Sequence, residues 1–127
     1  MVREFHEVFD VSHAHGPRPI DPETMALRKS LIDEETRELY EAMGGEDWRD
    51  VDLAHIAKEL ADLLYVVYGT AVTYGIEIGP VFAEVHRSNM DKAPGGIVTK
   101  RGDGKVLKPE GWKAPDIARV IAAQSNL

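Results

Sequence analysis

Five acidic residues stand where a helical pattern calls for apolar ones. Between residues 22 and 43 the apolar positions Leu27, Leu31, Ile32, Leu39, Ala42 and Met43 gather on one broad helical face. Glu34, Glu35 and Glu38 fall within that face, at spacings of three and four that let side chains converge. Lys29, Asp33, Arg37 and Glu41 lie opposite, as solvated charges should. A second apolar stretch repeats the anomaly with Glu59 and Asp62, whose face Val66 continues. No lysine or arginine stands beside Asp62 at helical spacing on its C-terminal side. Carboxylates withdrawn together from water must protonate, find cationic partners or bind metal. Oxygen donors in a chain without cysteine favour Mg2+ or Mn2+. Taken singly, each glutamate reads as a solvated surface charge. The pattern Glu-Glu-x-x-Glu, then Glu-x-x-Asp on a second apolar helix, is what points to metal; a salt-bridged acidic face is the alternative.

Two long helices must carry these groups. Asp21-Pro22-Glu23 suits a helix start, with a capping acid, a proline at the first position and a second acid at the positive end of the dipole. This helix is expected to run to Met43, with Gly44-Gly45 as a left-handed exit. Asp50 or Asp52 caps the next, expected over Leu53 to Tyr74 and stopped by Gly75. From Leu60 to Tyr74 its only charge is Asp62, so most of its surface calls for burial, and self-association is expected. The short connection makes the two helices antiparallel neighbours. Further helices are expected over Pro80 to Asn89 and Pro115 to Gln124. Residues 1–20 show no sustained period and read as a lid or an irregular arm, with Phe5 and Phe9 tucked onto the body. Residues 93–113, rich in glycine and proline, read as a loop on the phosphate side or a short hairpin around Gly102-Asp103-Gly104. The fold class is all-α, a bundle of four or five helices in one domain spanning residues 1–127.

Composition excludes several classes. Hydrophobic residues make up 43% of the 127, enough for a core, while only 7% are aromatic. Without cysteine there is no disulfide framework, thiolate metal site or cysteine nucleophile. A net charge of −7 argues against general nucleic-acid binding. It does not argue against a phosphorylated substrate, because metal held by carboxylates reverses the local sign. No run has the length and apolarity of a membrane span, and a cytoplasmic location is expected.

The run Leu31-Ile32-Asp33-Glu34-Glu35-Thr36-Arg37-Glu38-Leu39 resembles the first motif of the MazG-like, all-α nucleoside triphosphate pyrophosphohydrolases. Glu59-Leu60-Ala61-Asp62-Leu63-Leu64-Tyr65 resembles their second. The likeness extends through His86-Arg87-Ser88-Asn89-Met90-Asp91-Lys92 to Asp103-Gly104-Lys105 and Gly111-Trp112. It is nearest to small bacterial members with dUTPase-type activity. The resemblance implies Glu35, Glu38, Glu59 and Asp62 as ligands for Mg2+ or Mn2+. It implies Glu34 beside them, orienting or deprotonating the attacking water, so that Glu34 and Glu35 are the catalytic pair. The implied reaction is hydrolysis between the α- and β-phosphates of dUTP or another nucleoside triphosphate, giving a monophosphate and pyrophosphate. The substrate would lie between the acidic pair and the basic loop of a homo-oligomer, a dimer first, with a tetramer as the alternative.

Cations must grip the pyrophosphate part. Arg87, Lys92, Lys100, Arg101, Lys105 and Lys108 are the candidates; the resemblance favours Lys92, with Asn89 reaching sugar or phosphate. The lysines also serve solubility, and Arg87 is placed to pair with Glu84 on its own helix. His6, flanked by Phe5 and Phe9, is a candidate to cover a base or a packing residue. His13-Ala14-His15 reads as solvated, His55 and His86 as helix-surface groups, and Trp48 and Trp112 as packing residues. Competing classes are a di-iron carboxylate bundle, which wants Glu-x-x-His pairs absent here, a phosphoribosyl-ATP pyrophosphohydrolase, and a non-catalytic helical module whose acidic face binds a basic partner.

Overall fold

The computed structural model describes residues 1–11 and 13–125. Among them are five α-helices and no extended strand: α1 (Val2–Val8), α2 (Pro22–Met43), α3 (Leu53–Tyr74), α4 (Ile78–Met90) and α5 (Ile117–Gln124). Single turns of 3-10 helix occur at Trp48–Asp50 and Pro94–Gly96. No single helix among the described residues is long and apolar enough to cross a membrane. The chain divides into two compact units, Met1–Ile76 and Glu77–Leu127.

In the first unit, the Asp21 carboxylate accepts from the Thr24 backbone N–H at 2.6 Å, and Pro22 takes the first helical position of α2. At the other end Gly44 is extended (φ −74°), so the positive φ of the exit falls on Gly45 alone (+142°). Asp52 rather than Asp50 caps α3, accepting from the N–H groups of Ala54 and His55. Gly75 ends α3 in the left-handed region (φ +74°), where a Cβ would also strike the Gly16 carbonyl.

Helices α2 and α3 run antiparallel. Near one end Arg28 donates to the Val66 carbonyl and the Thr70 hydroxyl, each at 3.1 Å. Further along, Glu35 and Glu38 meet Glu59 and Asp62, so numbering rises on one helix as it falls on the other. Arg28 is only 6% exposed, and burial lowers its pKa from the ordinary arginine value.

The arm is less irregular than its sequence suggests. Its first residues form α1, which is too short to persist alone and is held by packing on α3. His6 is 3% exposed and lies beneath Gly69, where any Cβ would come within 2.9 Å of the imidazole and 2.7 Å of Arg28. Phe5 meets Tyr65 edge-on at 5.6 Å, and Phe9 stacks on Phe5. Ala14 and Arg18 donate backbone N–H groups to the carbonyls of Val72 and Tyr74, tying the arm to the end of α3. Leu60, Leu64, Val67 and Tyr68 leave an apolar stripe of α3 exposed in the single chain.

In the second unit, α4 begins two residues earlier than expected, at Ile78. The buried Gln124 side chain at the end of α5 bonds both the N–H and the carbonyl of Glu77, each at 2.9 Å. Between the helices the chain adopts the hairpin alternative in its smallest form. Leu107 donates to Thr99 and Arg101 to Lys105, around one antiparallel bridge between Lys100 and Val106.

Candidate metal centre

Glu35, Glu38, Glu59 and Asp62 each bring one carboxylate oxygen to a common focus, all within 4.8 Å of one another. The arrangement follows from local geometry. On each helix a spacing of three puts two acids on one face, and the antiparallel packing turns the two faces together.

The focus is electrostatically costly. Glu59 is nearly fully buried, and Glu35 is half-buried. One oxygen of each, Glu35 Oε2 and Glu59 Oε2, is buried without a hydrogen-bond partner among the described residues. A buried acceptor left unsatisfied costs about 1–3 kcal/mol, more when charged. Burial pushes the Glu35 carboxyl above its ordinary value of 4.5. The charges of Glu38, Asp62 and Glu59, with a hydrogen bond to Glu38, push the same way. An oxygen-rich focus with two orphaned buried oxygens fits a hard divalent cation.

A protein cation also reaches the focus, from the side that sequence reasoning passed over. Lys58 Nζ donates to Asp62 at 2.7 Å and to Glu59 at 3.3 Å. It stands four residues before Asp62, and that i, i+4 spacing is the local signal for the pair. These acids hold its pKa above the ordinary lysine value. His55 Nε2 lies 3.4 Å from Glu59, so this histidine borders the focus. One lysine cannot neutralise four carboxylates, and its own head is largely exposed.

Other expected site residues fall elsewhere. Glu34 is exposed and is not one of the four converging acids. It lines an open depression along α2 with Lys29, Asp33, Arg37, Glu38 and Glu41. The buried face of α2 is narrower than the apolar pattern implies, and one residue's rotation from Glu35 carries Glu34 to the solvent side. His6 is a buried packing group rather than an open surface for a base. Arg87 is engaged within its own unit, bonding Glu84 at 2.7 Å, Asp91 at 2.8 Å and the Ala114 carbonyl. Lys92 donates to Asn89 Oδ1 at 3.1 Å, bringing these two expected substrate-binding residues together. Lys105 lies on the exposed hairpin. Trp48 is 81% exposed, so it does not pack within the single chain.

Residues 2–89 match a protein-family model described as phosphoribosyl-ATP pyrophosphohydrolase. The matched stretch contains all four converging carboxylates and ends at Asn89, before Lys92 and Lys105. No curated protein matches the chain.

Proposed function

Because the chain belongs to the phosphoribosyl-ATP pyrophosphohydrolase family, within the MazG-like all-α pyrophosphohydrolases, we propose that it is a metal-dependent nucleoside triphosphate pyrophosphohydrolase. It cleaves between the α- and β-phosphates of dUTP or another (deoxy)nucleoside triphosphate, giving the monophosphate and pyrophosphate. The observation that carries this reading is the four-carboxylate focus with its two orphaned buried oxygens. The motif likeness over Leu31 to Leu39 and Glu59 to Tyr65 supports a nucleotide as substrate.

Glu35, Glu38, Glu59 and Asp62 would hold Mg2+ or Mn2+. The bound metal supplies charge neutralisation at the phosphates and lowers the pKa of water. Glu34, the exposed carboxylate outside the ligand set, serves as the proton acceptor. Within the second unit, Asn89 and Lys92, joined by their 3.1 Å bond, and Lys105 are groups able to make charge-assisted bonds to a phosphate.

A second reading is favoured by the description of the matched family: phosphoribosyl-ATP as the substrate. One panel separates the two. Nucleoside triphosphates, dUTP and phosphoribosyl-ATP are supplied with Mg2+ or Mn2+, and release of pyrophosphate is scored against release of single phosphate. Turnover of dUTP or another triphosphate with pyrophosphate release supports the first reading. Turnover of phosphoribosyl-ATP alone selects the second, and single-phosphate release overturns both.

The exposed stripe on α3 is assigned to a homodimer, with a second copy covering Leu60, Leu64, Val67 and Tyr68. A Val67→Asp variant is expected to sediment as a monomer; an unchanged oligomer removes this assignment.

A further inference from the structure

The second unit gathers two lysines on one indole. Lys108 Nζ lies 4.7 Å and Lys92 Nζ 5.5 Å from the centroid of the Trp112 ring. The ring is itself fixed in place. Its Nε1 donates to the carbonyl of buried Ser88 at 2.6 Å, and its backbone N–H donates to Pro109. Trp112 is thereby bolted to the last turn of α4, one residue before Asn89, the group that accepts from Lys92.

Neither ammonium forms an ion pair with a carboxylate among the described residues. The arginines of the same unit do: Arg87 with Glu84 and Asp91, Arg101 with Asp103, Arg119 with Glu84 and Asp116. An aromatic face attracts a cation without neutralising it. Each lysine keeps N–H donors to offer, and an anion within their reach would satisfy those donors with charge-assisted bonds.

The geometry points to Lys108 as a second phosphate-binding residue, paired with Lys92, and to Trp112 as the positioning residue that presents both ammonium groups. The ligand class is a pyrophosphate group, free or as the tail of a nucleotide. Only this choice of anion rests on the function proposed above; the lysine pair stands on its own geometry.

The test is calorimetric titration of the whole protein with inorganic pyrophosphate in EDTA and low salt, where the acidic focus cannot contribute through metal. The wild type binds, and Glu38→Gln binds equally well whatever its turnover, which separates this proposal from the catalytic one. Lys108→Met, which keeps the aliphatic stem on the ring, binds about tenfold more weakly. Lys108→Arg restores most of the affinity, as a stem needed only for packing would not require. Trp112→Phe, the mild variant, weakens binding by a few-fold and Trp112→Leu by more, provided each retains the wild-type far-ultraviolet circular dichroism. Wild type that fails to bind pyrophosphate in EDTA, or Lys108→Met that binds like wild type, overturns the proposal.

Discussion

Two clusters of charged side chains, one in each unit, obey opposite rules. In the first unit four carboxylates face one another with Lys58 at the rim. In the second, acids and guanidinium groups alternate: Glu84 takes Arg87 at 2.7 Å and Arg119 at 3.5 Å, while Arg87 also takes Asp91. The pKa directions follow. The bonds from Arg87 and the Asp116 N–H hold Glu84 down at about 2, whereas burial and neighbouring acids push Glu35 up. Glu84 is satisfied by its own chain and acts as a staple between α4 and the start of α5. The cluster around Glu35 is left short of positive charge and of hydrogen-bond donors, as the proposed metal site requires.

The largest expected effect tests that contrast directly. Glu38→Gln and Asp62→Asn each cut pyrophosphate release by about 10³-fold or more, with circular dichroism unchanged. Near-normal turnover in either at saturating metal would erase the distinction between the two clusters. Next in size is metal linkage. At about one hundred times its dissociation constant, Mg2+ or Mn2+ stabilises the fold by roughly 3 kcal/mol, a rise of about 10 °C in thermal midpoint. Calorimetry should show this rise in the wild type and lose it in Glu59→Gln.

Lys58 gives a smaller and sharper test. If it occupies the place of the missing charge, Lys58→Met raises metal affinity several-fold while lowering the stability of the metal-free protein. Weaker metal binding in Lys58→Met would make the lysine part of the site rather than a stand-in. The smallest effect concerns acid stability. The Glu84 pKa is depressed, so its contribution is present above the ordinary value of 4.5 and is lost as pH falls toward about 2. Glu84→Gln should remove that part of the acid-unfolding slope and leave turnover at neutral pH intact. Glu35 works the other way: its raised pKa lowers metal-free stability as pH climbs from 4.5 through the raised value.

The long helices were legible residue by residue because their signals are local. Asp21-Pro22 and Gly75 act on the few bonds beside them, and α2 and α3 begin and end where those signals place them. A shared acidic face on the two helices was legible in spacings of three and four, with a salt-bridged face as the alternative; the set Glu35, Glu38, Glu59 and Asp62 came from the family resemblance, and these four do converge. Residues 2–8 were misread as irregular because seven residues carry too little periodicity. Their helix exists through contacts of His6 and Phe5 with α3, sixty positions along the chain. Glu34 is exposed rather than part of the buried face, because an apolar pattern fixes the centre of such a face but not its width.

What the order of residues determined alone was the two long helices and the spacing of acids upon them, both consequences of backbone geometry within a few residues. Only the tertiary structure decided which oxygens lose water, that residues 2–8 form a helix at all, and that Lys92 and Lys108 share one indole. Desolvation depends on what approaches from distant parts of the chain, and no local pattern records that approach.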